Sequence, residues 1–546
     1  MRRYSLIALS AAGGMLSGLA WSEFCPGLIL LVSFVPWLLI EDHLYLNPGK
    51  YNLNSCFILL LPGFVLFNTI VLSWIRIASI PAAIAVITEM SFLMTLVFCL
   101  AHSVRKKAGR TAGYAALTIF WLAFENLSLH SSFLTPWINL GNGLAKNILF
   151  IQWYDITGVA GGSLWILISN IFLTLFLLNR SRKKRAALTY ASLWLMITAV
   201  PAAFSVSEYS RPEESKEGQG SEIVIVQPNF DPYTEKFSIP FEQQLDTALK
   251  IAEGMLTDSS RWLIFPETMI DDPVNEADAG NNKYILTLRD FAAGYNDLNI
   301  IAGLVSYRIY PGSEKAPTRS ARLTNLSEHY ADHYNSAFRI DAINYPSIYH
   351  KSRLVPGIEM HYSPFLEKVT EWILPDMGGT MWGYGTQDSR TCFIHSATGH
   401  RIAPVICYES VFGDFVAGSV REGAEALAVI TNDGWWKNTK GYYQHLGYSS
   451  LRAIETGRPV VRCANTGISC ITDKRGKRLQ ETEWWTAGSL KGIIVPETEI
   501  TFYVRAGDYI FNAASVACPV ILIYIFGPEM IRRMRRAFPP KKPDRN

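Results

Sequence analysis

Charged side chains are scarce in this chain. Asp, Glu, Lys and Arg make up 18% of its 546 residues and hydrophobic types 49%, whereas an ordinary soluble domain carries about 25% charged residues. A single water-soluble globule is therefore excluded. An excess of one sign is also missing: 50 basic residues stand against 47 acidic ones, for a net charge of +3, so no nucleic-acid partner is expected. The 39 Gly and 27 Pro follow no fixed period, which excludes collagen-like and low-complexity chains, and 12% aromatic residues argue against disorder. None of the eight Cys forms a Cys-x-x-Cys pair, and His395, His400 and His445 lack a zinc-ligand arrangement. No metal and no cofactor are expected, and those histidines read as structural. Cys463 and Cys470 are close enough to pair, but buried free thiols are the commoner outcome for isolated strand cysteines.

What the chain has in abundance is charge-free length. Segments 4–22, 24–40, 51–75, 156–179 and 186–207 contain no Asp, Glu, Lys or Arg, while 81–102 and 111–129 hold one Glu each, Glu89 and Glu125. About 20 helical residues cross a hydrocarbon core, so these read as seven membrane spans and the run 509–528 as an eighth. Arg2, Arg3, Lys50, the basic residues of 105–110, those of 180–185 and those of 532–536 all fall on one side of the alternation, and the opposite short loops hold only Arg76 and Lys146. Positive charge marks the cytoplasmic side. The intervening 208–505 then lies across the membrane. The expected organisation is a seven-helix membrane domain over 1–207, an extracytoplasmic domain over 221–502, the eighth span over 508–528 and a basic cytoplasmic tail over 529–546. Glu89, costly inside a span, is a candidate for function or for pairing with Arg76; Glu125 is expected near an interface.

The large domain reads as alternating β and α. Short β-branched runs at 223–226, 262–265, 300–303, 402–406, 426–431 and 460–462 are separated by turns or by helix-length segments such as 242–256, 284–293 and 445–456. Polar groups at the ends of such strands are presented into clefts. Trp262-Leu263-Ile264-Phe265-Pro266-Glu267 delivers a carboxylate just past a proline, making Glu267 the candidate base. Lys351 follows Tyr349-His350 and precedes a Pro-Gly turn, and Ile402 to Ile406 closes on the thiol of Cys407 ahead of Tyr408-Glu409-Ser410. Cys407 is the candidate nucleophile, with thiolate character expected from a helix N-terminus or a nearby ammonium.

In this order, Phe-Pro-Glu, His-Lys-x-x-Leu-Val-Pro and Ile-Cys-Tyr-Glu resemble the nitrilase or carbon-nitrogen hydrolase superfamily. The resemblance implies a four-layer α-β-β-α domain in which Glu267 acts as general base, Lys351 stabilises the oxyanion and Cys407 is acylated. With eight spans around it, the fold expected is an α/β nitrilase-like four-layer α-β-β-α domain inserted in an eight-helix transmembrane domain. That combination is similar to the apolipoprotein N-acyltransferase branch, as are Thr135 to Gly141, Ile151 to Gly158, Thr431 to Trp436 with Gln444-His445, and Arg452 to Pro459. One departure is Val355-Pro356-Gly357-Ile358-Glu359, where the glycine stands one place from the branch's usual position while Glu359 keeps its spacing of eight from Lys351. Glu359, Tyr408 and Glu409 are the supporting residues.

The resemblance implies a ping-pong acyl transfer from a phospholipid, through a Cys407 thioester, to the α-amine of a diacylglyceryl-cysteine lipoprotein, in a bacterial inner membrane with the catalytic domain facing the periplasm. The partners implied are phospholipid donor, diacylglyceryl lipoprotein acceptor and lipid bilayer. The alternative is a membrane-anchored amidase or nitrilase with water as acceptor, which shares Glu267, Lys351 and Cys407 but needs neither the spans nor the loop matches.

Overall fold

The computed structural model describes residues 3–181, 183–212, 220–324, 329–360 and 383–537; part of the expected basic tail, 538–546, lies outside the described residues. Six helices among the described residues are long and apolar enough to cross a membrane: Gly27–Tyr45, Leu53–Ile77, Ile80–Ala108, Tyr154–Asn179, Lys184–Tyr209 and Tyr509–Pro528. The other two expected spans are also helical. Arg3–Leu19 has only 17 residues, and Arg110–His130 is diluted by Thr111, Thr118, Glu125, Asn126 and Ser128. Both pack into the bundle, Arg3–Leu19 against Leu53–Leu72 and Arg110–His130 against Ile80–Ala108 and Tyr509–Ala537.

Glu125 is buried, accepting from the Trp121 indole at 2.9 Å and from Leu140 N at 2.7 Å. Its carboxylate therefore anchors the loop that follows its own helix. Glu89 is half-buried, and among the described residues no ion pair joins it to Arg76, which is exposed.

The remaining chain forms two sheets. Strands β1 (Ser221–Gln227), β2 (Ser260–Ile264), β3 (Ile270–Asn275), β4 (Asn299–Tyr310), β5 (Arg322–Leu323), β6 (Tyr330–Ile340) and β7 (Ser347–His350) precede β8 (Phe393–Ile394), β9 (Arg401–Ile406), β10 (Ala426–Thr431), β11 (Val460–Ala464), β12 (Cys470–Thr472), β13 (Arg478–Glu481) and β14 (Gly488–Ile494). One sheet runs β14-β1-β2-β4-β6-β5, with β3 on β4 and β7 on β6; the other runs β13-β12-β11-β10-β9-β8. Their central strands, β1, β2 and β4 in one and β9, β10 and β11 in the other, are parallel. Strands covered on both faces read as unbroken apolar runs, as 223–226 and 426–430 do.

Alternate side chains explain the stacking. Ile223, Ile225, Trp262 and Ile264 point to the same core as Ile406, Ala428, Ile430 and Val461, so the two sheets pack face to face. Val224, Val226 and Leu263 point the other way, onto Leu245 and Leu249 of helix Phe241–Glu253 and Ile285 and Leu288 of helix Lys283–Ala293. On the second sheet Val405, Leu427 and Val429 meet Val416 of helix Gly413–Arg421 and Leu451 of helix Lys440–Thr456. That last core continues without interruption into the membrane helices.

Polar contacts fix the junction. At the break in Tyr154–Asn179, where Gly158 leaves helical geometry, Val159 N donates to Glu455 Oε1 at 2.9 Å. Trp137 Nε1 donates to Gln444 Oε1 at 2.6 Å, and the Tyr448 hydroxyl donates to Trp137 O at 2.7 Å. Helix Lys440–Thr456 is thus bonded to the membrane bundle along its length.

Candidate active site

Three strand ends converge on one cavity of about 220 Å³, which Glu267, Lys351, Glu359, Cys407 and Tyr408 line together. Beyond β2, Phe265 N donates to Ile301 O at 2.8 Å and Gly303 N to Pro266 O at 3.1 Å, holding the segment that carries Glu267 against β4. A Cβ at Gly303 would stand 2.5 Å from Pro266 O and 2.6 Å from Glu267 Cα. Only glycine permits that approach. Lys351 is the first residue after β7, and its N–H donates to Asn335 O on β6 at 2.8 Å. Cys407 is the first residue after β9, with φ of +51°. A non-glycine residue pays about 1–3 kcal/mol for such a conformation, which persists where the surroundings impose it.

The buried charges form one connected set. Lys351 Nζ donates to Glu267 Oε1 at 3.1 Å and to Glu359 Oε1 at 2.8 Å. Asn335 Nδ2 bridges the same two oxygens at 2.8 and 3.2 Å, and Asn432 N donates to Glu267 Oε2 at 3.1 Å. Burial works against ionisation of Glu267, yet the Lys351 charge, the Asn335 and Lys351 hydrogen bonds and the Lys236 charge outweigh it and hold the carboxyl below its ordinary value. Burial likewise opposes the Lys351 ammonium, but Glu267, Glu359 and Cys407 raise it well above the usual range.

Cys407 departs from expectation. Burial, followed by the negative charge of Glu267, pushes the thiol well up, and Lys351 offsets this only in part. The expected helix N-terminus is not there: Cys407–Val411 is a single tight turn, and helix Gly413–Arg421 begins beyond it. Cys407 rests as a thiol near the Glu267 carboxylate, rather than as a free thiolate.

Glu409 clamps this turn. Its Oε1 accepts from the Tyr349 hydroxyl and from Ser352 N, both at 2.6 Å, and its Oε2 from Ile406 N at 2.7 Å. Tyr408 lines the cavity and sets its ring edge-on to Phe412, 5.2 Å between centroids. His445, read as structural, is held at both ring nitrogens: Nδ1 lies 2.9 Å from Asp433 Oδ1, and Nε2 is 2.9 Å from Ser410 Oγ and 3.0 Å from Cys407 O. Arg462 pairs with Asp433, whose carboxyl is carried down to about 2 by Arg462 and His445 against the cost of burial. Burial and the Arg462 charge keep the imidazole's pKa low. Asn335 and the joining of this triad were not singled out from the sequence; Asn432, Asp433 and His445 carried a signal only through the Thr431 to Trp436 and Gln444-His445 segments. All eight cysteines are free, with Cys463 Sγ directed at Val226 O at 3.2 Å.

Residues 223–501, just over half of the chain, match the carbon-nitrogen hydrolase family. The chain belongs to that family. Residues 13–172 match the apolipoprotein N-acyltransferase N-terminal domain. An apolipoprotein N-acyltransferase of Chlorobaculum tepidum is 27% identical over 484 residues, 88% of either chain, and one of Geobacter metallireducens is 26% identical over 96% of this chain and 94% of its own. One of Rhizobium meliloti is 41% identical over 145 residues, 26% of this chain and 27% of its own. Among solved structures, Saccharomyces cerevisiae Nit3, a member of branch 10 of the nitrilase superfamily, is 13% identical with a TM-score of 0.38, covering 61% of this chain and all of its own. The two family matches together place the chain in the membrane-embedded acyltransferase branch, and it is an enzyme of that class.

Proposed function

We propose that the chain transfers a fatty acyl group from a phospholipid, through a Cys407 thioester, to the α-amine of a diacylglyceryl-cysteine at a lipoprotein N-terminus. The observation that carries this reading is the composition of the catalytic cavity. One side of it is built by the large domain, with Glu267, Lys351 and Cys407, and the other by the membrane helices and their loops, through Leu72, Trp74, Ile75, Ala78, Val86 and Phe133. A hydrolase of small soluble amides has no use for such a wall, whereas an acyl chain can stay among these side chains while its ester reaches the thiol.

The chemistry follows from the resting states. As Sγ attacks the ester carbonyl carbon, the thiol proton passes to Glu267, and the Lys351 ammonium faces the charge that develops on the carbonyl oxygen. Collapse breaks the C–O bond, Glu267 returns the proton to the leaving glycerol oxygen, and lysophospholipid departs. The acceptor amine then attacks the thioester carbon, loses a proton to Glu267 and expels the Cys407 sulfur, which takes that proton back. Storing the acyl group on sulfur lets one site serve two bulky lipids in turn.

On this reading the two sheets and their covering helices form a four-layer α-β-β-α catalytic domain over 221–502. Eight helices cross a bacterial inner membrane, seven within 1–207 and the last over 508–528, with 529–546 in the cytoplasm and the catalytic domain in the periplasm. Intact-mass spectrometry tests the chemistry. Mixed with phospholipid alone, the protein should gain one hydroxylamine-labile acyl mass, lost in Cys407→Ala and retained when Cys392, Cys463 or Cys470 is changed singly to Ser. A full acyl mass on Cys407→Ala overturns the assignment.

A further inference from the structure

A second cavity, of about 460 Å³, lies outside the catalytic machinery. One hydrogen bond joins the two linings: Trp137 lines the catalytic cavity, Gln444 lines the second, and the Trp137 indole donates to Gln444 Oε1 at 2.6 Å. Its walls are the end of the first helix (Ala20, Trp21), the loop 142–148, helix Lys440–Thr456 and strand β13. Ala20 and Trp21 stand at the opposite end of that helix from Arg3, where indoles mark the boundary between bilayer and water.

Two buried polar atoms in these walls have no partner. Trp21 Nε1, a donor, and Asn142 Oδ1, an acceptor, make no hydrogen bond among the described residues, although Trp21 is 5% exposed and Asn142 4%. Leaving such groups unpaired costs roughly 1–3 kcal/mol each. Asn142 Nδ2 is already committed to Pro136 O at 3.1 Å, which fixes the amide with its oxygen as the free end.

The charges beside them are balanced. Lys146 lines the cavity with its ammonium donating to Ser22 O and Cys25 O, which leaves one of its three N–H bonds free. Arg478 lines it too, paired at 2.7 Å with Glu481 on the same strand, and Glu23, outside the lining, acts on Lys146 through its charge. The two cations of the wall are therefore offset by one anion within it and one beyond it. An inorganic anion would unbalance this set; a zwitterion would not.

We propose that this cavity binds the zwitterionic head group of a membrane phospholipid, its phosphodiester on Trp21 Nε1, Lys146 and Arg478 and its ammonium on Asn142 Oδ1 and Glu481. Acyl chains would leave past Ile148, Leu446 and Leu479 toward the bilayer. The site stands apart from the acyl-transfer reading, since nothing in it reacts.

Native mass spectrometry of the full chain carrying Cys407→Ala, titrated in detergent with dihexanoyl phosphatidylethanolamine, counts the lipids bound. Arg478→Met, at an exposed strand position, and separately Trp21→Phe should each remove one bound lipid or weaken it roughly tenfold or more. With Cys407 present, thioester formation by Arg478→Met should stay at the parent rate. Should the acyl-transfer reading fail, the parent still holds the one lipid that Arg478→Met removes, so the two failures are distinguishable. Unchanged lipid number and affinity in both variants overturns the proposal, as does displacement of the lipid by inorganic phosphate at equal concentration.

Discussion

The Tyr349 hydroxyl donates to Glu409 Oε1 at 2.6 Å. That bond crosses from one sheet to the other, joining the strand that delivers Lys351 to the turn that delivers Cys407. Tyr349→Phe leaves the ring in its core and removes only the hydroxyl, which should cost about 1 kcal/mol of stability. Glu409→Gln loses more, because its carboxylate also accepts from Ser352 N and Ile406 N at 2.6 and 2.7 Å. Single-turnover acylation should slow roughly tenfold in Tyr349→Phe through misplacement of the ammonium relative to the thiol. An unchanged rate in a measurably destabilised Tyr349→Phe protein would make the bond purely structural.

On the proposed mechanism Glu267 and Lys351 serve the same step by different means. Glu267→Gln should slow thioester formation by roughly 10²- to 10⁴-fold, the usual worth of a positioned base. Lys351→Met should cost on the order of 10²- to 10³-fold, and Lys351→Arg should recover little, because a planar guanidinium does not fit a pocket that encloses a compact ammonium between two carboxylates. Unimpaired acylation in Glu267→Gln or in Lys351→Met removes the substituted residue from the site.

The pH dependence follows from the two opposite shifts. Glu267, held below its ordinary value, is ionised throughout neutral pH, and Cys407, pushed well above its own, is protonated there. Acylation should therefore be level from about pH 6 to 8 and fall only as acid protonates Glu267, below the usual carboxylate value of about 4.3. A depressed carboxyl also contributes stability that is present above its unfolded value and lost as pH falls through its folded one. A single-turnover rate climbing tenfold per pH unit between pH 7 and 8 would instead mean that a free thiolate is the nucleophile.

Much of this candidate site was legible because each of its three central groups follows an apolar strand, and strand ends are marked by the break from apolar residues to a polar one: Phe265-Pro266-Glu267, His350-Lys351, Ile406-Cys407. Asn335 was not legible. It lies in the middle of β6, within Tyr-Ala-Asp-His-Tyr-Asn-Ser, where alternating polar residues read as a solvent face. The backbone of Asn432 contributes through an N–H, which no side-chain pattern encodes. His445 and Arg462 meet Asp433 only because a helix and two neighbouring strands of the second sheet pack together. The protonated state of Cys407 was missed for a related reason: the sequence displays the neighbouring cation, while burial becomes visible only in three dimensions.

Topology is testable without chemistry. In a background stripped of accessible native thiols, Ser181→Cys and Ser259→Cys, both at exposed positions, should respond oppositely to an impermeant thiol reagent applied from the periplasmic side. Only Ser259→Cys should label. The reverse pattern would put the large domain in the cytoplasm, away from the outer-face acceptor that the proposed function requires.

Glu359 resolves the one irregularity in the motif. The glycine standing one place from its usual position adopts φ of +82°, a left-handed conformation that suits glycine and closes the turn with Glu359 N donating to Val355 O at 3.1 Å. The carboxylate is then fixed at both ends, Oε2 accepting from Val355 N at 2.7 Å and Oε1 from Lys351 Nζ at 2.8 Å. A neutral amide can accept at only one of these two ends and withdraws one of the two negative charges that confine the ammonium, leaving Lys351 drawn toward Glu267 and Glu267 more tightly paired and less basic. Glu359→Gln should fold, insert into the membrane and bind lipid as the parent does, yet form the thioester at least roughly tenfold more slowly, a loss of about 1.4 kcal/mol in transition-state stabilisation. Gly357→Ala should reach a similar defect by another route, since a Cβ at that φ strains the turn and displaces the carboxylate. If single-turnover acylation by Glu359→Gln matches the parent from pH 6 to 8, the second carboxylate only braces the loop, and Glu267 alone sets the position of the Lys351 charge.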